Sequence, residues 1–329
     1  MKKFLSLMLC AALCAGSLSG CNFNISEALK DNAAEFAEGR DIGEPVLLGL
    51  DEAMLEKIAQ YSGSLYIPDI SVSSEEVPVN PKNPKYTVSC EDDMMKALAD
   101  AYANIYESVN LQFEDGYLAD HTDNEKKIVL YQLDKQVRRA DPLNASNMHT
   151  LSLTGKVLEI KYYCSKGMVE DRNAETAELV KKKADEIRKE ANTEYEMLLA
   201  VNRLLCDEVT YKKSGKHVVH TPYGALKNGE AVCDGYATAA MLILRELGIE
   251  CDFMMGWGSP MNTKNPTDDR LHAWNLVRIN NRWYQLDITW NDEVGDFYQY
   301  FLVADSYMAA THKWDPSKYP ETPWQRYHP

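Results

Sequence analysis

Two strand-like segments near the C-terminal end, Leu271-His-Ala-Trp-Asn-Leu-Val-Arg-Ile279 and Arg282-Trp-Tyr-Gln-Leu-Asp-Ile-Thr-Trp290, are separated only by Asn280-Asn281. Asparagine tolerates the positive φ that a two-residue turn demands, so the pair reads as an antiparallel hairpin. Residues equidistant from the turn then oppose each other: Trp274 faces Asp287 and His272 faces Thr289. Opposed residues share a face, as do residues two apart along a strand. His272 and Asp287 are therefore diagonal neighbours, roughly 7–8 Å apart at the backbone and within side-chain reach. His272, Trp274, Gln285, Asp287 and Thr289 are expected on the face toward Cys233, with Ala273, Asn275, Val277, Tyr284, Leu286 and Ile288 on the other.

Upstream, Gly229-Glu-Ala-Val-Cys233-Asp-Gly-Tyr opens a helical pattern with Ala240, Ile243, Leu244 and Leu247 on one face and Gly248 at its end. Free N–H groups and the positive end of the helix dipole favour a thiolate, which predicts a lowered pKa and a nucleophile at Cys233. An unpaired cysteine also reads as a small buried hydrophobe. The hairpin breaks that tie. A thiol nucleophile requires an imidazole to take its proton and a carboxylate to orient the imidazole, and the chain supplies both. Cys233, His272 and Asp287 are the candidate nucleophile, base and orienting acid.

Val232-Cys233-Asp-Gly-Tyr-Ala, His272-Ala-Trp-Asn and Trp283-Tyr-Gln-Leu-Asp287-Ile-Thr-Trp-Asn-Asp closely resemble the three motifs of the transglutaminase-like superfamily. The likeness runs from about Thr193 to Tyr319, including Tyr300-Phe-Leu-Val-Ala-Asp-Ser and Trp314-Asp. The resemblance implies an α+β, papain-like core in which a helix-borne cysteine packs on an antiparallel sheet bearing histidine and aspartate. It further implies acyl transfer on protein or peptide amide bonds through a thioester, ending in hydrolysis or transamidation. The backbone N–H of Cys233 is one expected oxyanion donor, and Tyr223 is the candidate for the second. No cofactor and no metal are expected, since the calcium-binding features of animal transglutaminases are not recognisable. Bacterial relatives often carry His-Asp where this chain reads Val201-Asn202-Arg203. The alternative reading is a catalytically silent surface binding module of the same fold. Trp257, Trp274 and Trp290 are candidates to line the approach to the thiol, with core packing as the competing role.

At the other end, Lys2-Lys3 precede the apolar stretch Phe4–Leu18, and Leu18-Ser19-Gly20-Cys21 resembles the lipobox of bacterial lipoproteins. Residues 1–20 are expected as a signal peptide, with Cys21 lipidated and the protein held outside the cytoplasm on the cell membrane. The stretch is short for a membrane span. Residues 21–84 are expected as a tether ending in the Pro- and Ser-rich run Ser71–Pro84. Residues 85–170 are expected as a small α+β accessory domain, with helices over Asp92–Asn104 and after the capping box Thr122/Glu125, then a hairpin around Gly155-Lys156. Residues 171–329 are expected as the catalytic domain, opening with a charged surface helix, Ala174–Ala191, and a second capping box, Thr193/Glu196.

The balance of 35 Lys+Arg against 50 Asp+Glu gives a net charge of −15. Such a surface repels phosphate backbones and excludes nucleic acid as a partner. A protein or peptide substrate and a membrane, met through the lipid, are the expected partners. With Cys10, Cys14 and Cys21 assigned, Cys233 is expected free and any disulfide to join members of Cys90, Cys164, Cys206 and Cys251, the pair Cys206–Cys251 being favoured. The chain has no Cys-x-x-Cys pair to suggest structural zinc, and His217-Val-Val-His220 reads as loop.

Overall fold

The structure, a computed structural model, describes residues 69–114, 116–213, 216–258 and 270–329. The expected signal peptide, the expected lipidation site Cys21 and the expected tether up to residue 68 lie outside the described residues. Strands β1 (Asp69–Ser73), β2 (Lys85–Val88), β3 (Ser108–Phe113), β4 (Met148–Thr154) and β5 (Val157–Tyr162) form one sheet in the order β1-β4-β5-β3-β2. The hairpin expected around Gly155-Lys156 is β4–β5. Helices α1 (Glu91–Asn104) and α2 (Asp123–Ala140) share its core, with Met94, Leu98, Leu130 and Leu133 packed against Leu151 and Leu158. Thr122 and Glu125 close the expected capping box, and Asp141 ends α2 and caps the short α3 (Pro142–Ala145).

Asp69–Ser73 corrects the expected tether: it runs parallel to β4 and buries Ile70. An edge strand needs so little apolar surface that composition alone conceals it. The charged helix is also longer than expected. α4 (Lys166–Glu190) crosses residue 170 and buries a sparse stripe of Val169, Thr176, Val180, Ala184 and Ile187.

α5 (Glu194–Glu208) starts at the second capping box and leads to the two-residue strands β6 (Thr210–Tyr211) and β7 (Glu230–Ala231). Next come α6 (Cys233–Glu246), β8 (Cys251–Gly258), β9 (Arg270–Ile279) and β10 (Arg282–Leu286). With β11 (His312–Lys313) they give a second sheet, antiparallel throughout, in the order β10-β9-β8-β11. Asn280 and Asn281 are both left-handed, at φ 51° and 61°. The hairpin register is the expected one, from Ile279 opposite Arg282 to Asn275 opposite Leu286.

Two details of the hairpin differ from expectation. First, the strand stops at Leu286, because Asp287 caps a new helix, α7 (Ile288–Val294), by accepting the Trp290 N–H on Oδ1 at 3.1 Å. Thr289 therefore does not oppose His272. Second, α6 lies on the opposite face from the one expected: Ala273, Val277 and Leu286 share its core, and Asn275 Nδ2 donates to the Ala237 carbonyl at 3.0 Å. Trp274 and Leu276 point away into a second cluster with Met254, Trp290, Tyr300 and Val303. Helix α8 (Asp305–Met308) follows this cluster and precedes β11.

The two sheet units meet through polar contacts. Arg139 forks onto Asp252, its Nε donating to Oδ1 at 2.9 Å and its Nη2 to Oδ2, while Arg245 donates to the carbonyls of Arg139 and Ala140.

Candidate active site

Cys233 is the first residue of α6. Close approach fixes that first turn: a Cβ on Gly235 would stand 2.5 Å from the Val219 carbonyl oxygen and 2.9 Å from Ala231 Cβ. Asp234 is buried and engaged by His220 Nδ1, 3.0 Å from its carboxylate, so the histidine in the 217–220 turn serves the base of α6.

The Cys233 thiol hydrogen-bonds with His272 and receives a backbone hydrogen bond from Ala273. His272 Nε2 lies 2.7 Å from Asp287 Oδ2, the diagonal contact that the hairpin register predicts. With Nε2 committed to the carboxylate, Nδ1 is the nitrogen left for the thiol. All three residues are buried, Cys233 and Asp287 at 0% exposure and His272 at 4%.

Burial sets the charges. It opposes a proton on His272, but the Asp287 charge and hydrogen bond, with Cys233 behind them, raise the His272 pKa to about 10. Burial likewise opposes the Asp287 charge, yet His272 and His312 together hold its pKa well below the ordinary carboxylate range. Burial pushes the Cys233 thiol up, against the pull of His272. The lowered pKa expected from the helix start is thus not found: complete desolvation outweighs the helix end, and the thiol depends on a strongly basic imidazole instead.

His312 was not foreseen. Its Nε2 lies 3.1 Å from the same Asp287 Oδ2, and its side chain is fully buried. A single histidine in a short strand far down the chain carries no periodic signal, and Trp314-Asp beside it was the only hint. His272, Asp287 and His312 place three ligand-type atoms within 4.8 Å of one another, a donor set that zinc accepts. Both imidazole Nε2 atoms, however, sit at hydrogen-bond distance from one oxygen, and the second oxygen caps α7. The cluster is satisfied as a hydrogen-bonded unit.

Trp290 stacks on His272 with ring centroids 5.1 Å apart, and Trp274 does so at 5.9 Å while donating from Nε1 to Gln285 Oε1 at 2.7 Å. Both are buried and wall the histidines, which is the packing role; Trp257 is only partly buried. Tyr223 is turned elsewhere. Its hydroxyl donates to Glu175 at 3.1 Å and its ring carries Arg172, so its proton is not free for an oxyanion. The expected Cys206–Cys251 bridge is also absent: none of the five described cysteines is in a disulfide, with Cys206 donating to the Ile288 carbonyl and Cys251 to that of Asp252. Where relatives carry His-Asp, Asn202 is buried, donating to the Phe297 carbonyl at 2.8 Å and accepting from Asn291 at 2.9 Å.

Residues 181–288 match the family model of the transglutaminase-like superfamily. This part of the chain is a transglutaminase-like domain. The match takes in Cys233, His272 and Asp287 and ends before His312. Among curated proteins, the chain is similar to the kyphoscoliosis peptidases of Homo sapiens and Mus musculus, at 25% and 24% identity over 118 residues. That stretch is 34% of this chain and 18% of the length of those relatives. Among solved structures, a crystal structure named as a TGase aligns over 63% of this chain and 59% of its own, at 14% identity and a TM-score of 0.32. The periplasmic domain of TgpA from Pseudomonas aeruginosa aligns over 37% and 46%, at 20% identity and a TM-score of 0.28.

Proposed function

We propose that the transglutaminase-like domain is a cysteine-dependent acyl-transfer enzyme acting on protein or peptide amide bonds, and that Cys21 anchors it by lipid on the outer side of the cell membrane. The observation that carries the reading is the buried line of hydrogen bonds from Cys233 through His272 to Asp287. His272 Nδ1 takes the thiol proton, and the sulfur attacks the amide carbonyl. Negative charge then develops on the carbonyl oxygen beside the Cys233 backbone N–H at the positive end of α6. The imidazolium, stabilised by Asp287, returns its proton to the leaving nitrogen, and a thioester remains on Cys233. Water gives hydrolysis and regenerates the thiol; a lysine amine gives a new amide.

Cys233 is fully covered in the structure, so the site walls must part to admit an amide. The silent-module reading draws on that same burial. Mass spectrometry of a peptide and cell-wall pool incubated with wild type or Cys233→Ala separates the two. Acyl transfer predicts products, or an acyl adduct on Cys233, with wild type alone. Identical product spectra would overturn it. The lipid anchor is tested by N-terminal analysis of the membrane fraction, where a mature chain beginning at a residue other than Cys21 would remove it.

A further inference from the structure

Asp287 Oδ2 holds two imidazoles, and only one of them belongs to the matched segment. We infer that His312 is a positioning residue of this site: a neutral imidazole that donates to Asp287 Oδ2, fixes the carboxylate toward His272 and leaves the single imidazolium charge on His272. Its effect on turnover rests on the acyl-transfer reading above; its geometry and protonation do not.

At 1% exposure, His312 cannot touch a substrate. Its ring is enclosed by Trp290 at 4.2 Å, Trp274 at 4.9 Å, His272 at 5.5 Å and Tyr300 at 5.6 Å between centroids. The titratable groups facing it are therefore Asp287, His272 and Tyr300. Nε2 points at a carboxylate 3.1 Å away, and two lone pairs at that distance would repel, so Nε2 carries a proton. In the neutral ring Nδ1 is then an acceptor, and Thr311 Oγ1 lies 2.9 Å from it. The Tyr300 hydroxyl in turn hydrogen-bonds with Thr311. The Thr311 hydroxyl, which also lies 3.4 Å from the Met308 carbonyl, is placed to donate to Nδ1, and the Asp287 contact selects the tautomer.

A second proton would sit on Nδ1, beside the Met308 carbonyl. Burial and the nearby His272 charge keep it off, against the pull of Asp287. The consequence for the site is mechanical as well as electrical. The Trp290 N–H holds Oδ1 while two imidazoles hold Oδ2, so the carboxylate cannot rotate away from His272.

The test uses nitrogen-15 histidine spectra of the whole protein, with two variants. His312→Gln puts an amide nitrogen near the position of the lost Nε2, whereas His312→Phe keeps ring volume and deletes the donor. In wild type, His312 should be singly protonated, at Nε2, at pH 7. In His312→Phe, Oδ2 gives its whole charge to His272, so the His272 titration moves upward. Its kcat should nonetheless fall roughly 10- to 100-fold at unchanged KM, the size expected for losing one hydrogen bond to a charged group. His312→Gln should recover most of that loss.

A doubly protonated His312 at pH 7 in wild type would overturn the inference, and that measurement needs no variant. So would a folded His312→Phe with wild-type kcat and an unmoved His272 titration, or equal losses in both variants. If wild type shows no Cys233-dependent turnover, the acyl-transfer reading falls, and the nitrogen spectra still decide the role of His312.

Discussion

Replacing Asp287 by Asn changes a single atom of the side chain, yet it should disable the site. The amide keeps the carboxylate's volume, and its oxygen can still accept the Trp290 N–H that starts α7. Its nitrogen then occupies the position of Oδ2 and presents hydrogens to His272 Nε2, which lies 2.7 Å away in the native protein. To accept one, Nε2 must lose its own hydrogen, which moves the imidazole proton to Nδ1 and aims it at Cys233. An imidazole in that tautomer cannot take the thiol proton. Carboxylate-to-amide changes with this consequence lower kcat on the order of 10⁴-fold. Stability should fall too, because His272 and Asp287 are both buried, and breaking a buried pair costs about 3–5 kcal/mol. For a chain of this size that is a Tm decrease of roughly 6–20 °C. Turnover of any substrate that Cys233→Ala cannot process, measured beside thermal melts, tests both parts. A folded Asp287→Asn that keeps turnover within about threefold of wild type would refute the tautomer reasoning.

The pH dependence follows from the same pair. With the His272 pKa raised to about 10, the limb of the kcat/KM profile that reports its imidazolium should lie near pH 10; a limb near the ordinary histidine value of about 6.5 would contradict the structure. For stability, the raised His272 pKa contributes fully below about pH 6.5 and is lost as pH rises through about 10, whereas the depressed Asp287 pKa contributes above about pH 4 and is lost on acidification. The Tm gap between wild type and Asp287→Asn should accordingly be widest between those limits and narrow beyond them, as melts across the range will show. Gly256→Ala should displace β11, because the new Cβ would stand 2.2 Å from the Lys313 carbonyl oxygen and 2.8 Å from Trp274; a loss of about 1–3 kcal/mol in denaturant unfolding is expected, together with reduced turnover. Asn202→Ala should cost about 1–3 kcal/mol for stranding the buried Asn291 amide, and less for the half-buried Phe297 carbonyl, and a wild-type melting curve would count against that.

The hairpin was legible because its information is local. Two asparagines fix the turn, alternation fixes the faces, and the diagonal contact between His272 and Asp287 follows without any knowledge of the rest of the chain. The start of α6 at Cys233 was readable for the same reason, as were both capping boxes. What failed depended on distant residues. Which face of β9 receives α6 depends on how the Trp274 side is covered, and Tyr300 and Val303 from beyond the hairpin cover it. The end of β10 depends on Asp287 acting at once as helix cap and as histidine partner, two roles that look alike in a strand pattern of alternating residues. The Cys233 pKa depends on burial, which a favourable helix end cannot announce.

The segment after residue 288 therefore has a larger part in the site than the family match alone conveys. Residues 181–288 contain Cys233, His272 and Asp287, but the groups that hold the last two come from further on. The Tyr300 carbonyl accepts the Asp287 N–H at 3.0 Å, and Val303 exchanges two backbone hydrogen bonds with Gln285. Gln285 is thereby placed to accept from Trp274 and to donate to Asp305 at 2.7 Å. His312 completes the set on Oδ2. These bonds fix Asp287 itself or, through Gln285, the Trp274 ring that stacks on His272. A nucleophile can be placed by one helix, whereas an imidazole and a carboxylate that must share a proton with a buried thiol need their rotamers locked from several sides. The chain supplies that restraint by wrapping residues 295–313 back over the open face of the hairpin, so the geometry of the triad is a property of the docked C-terminal segment as much as of the three residues themselves.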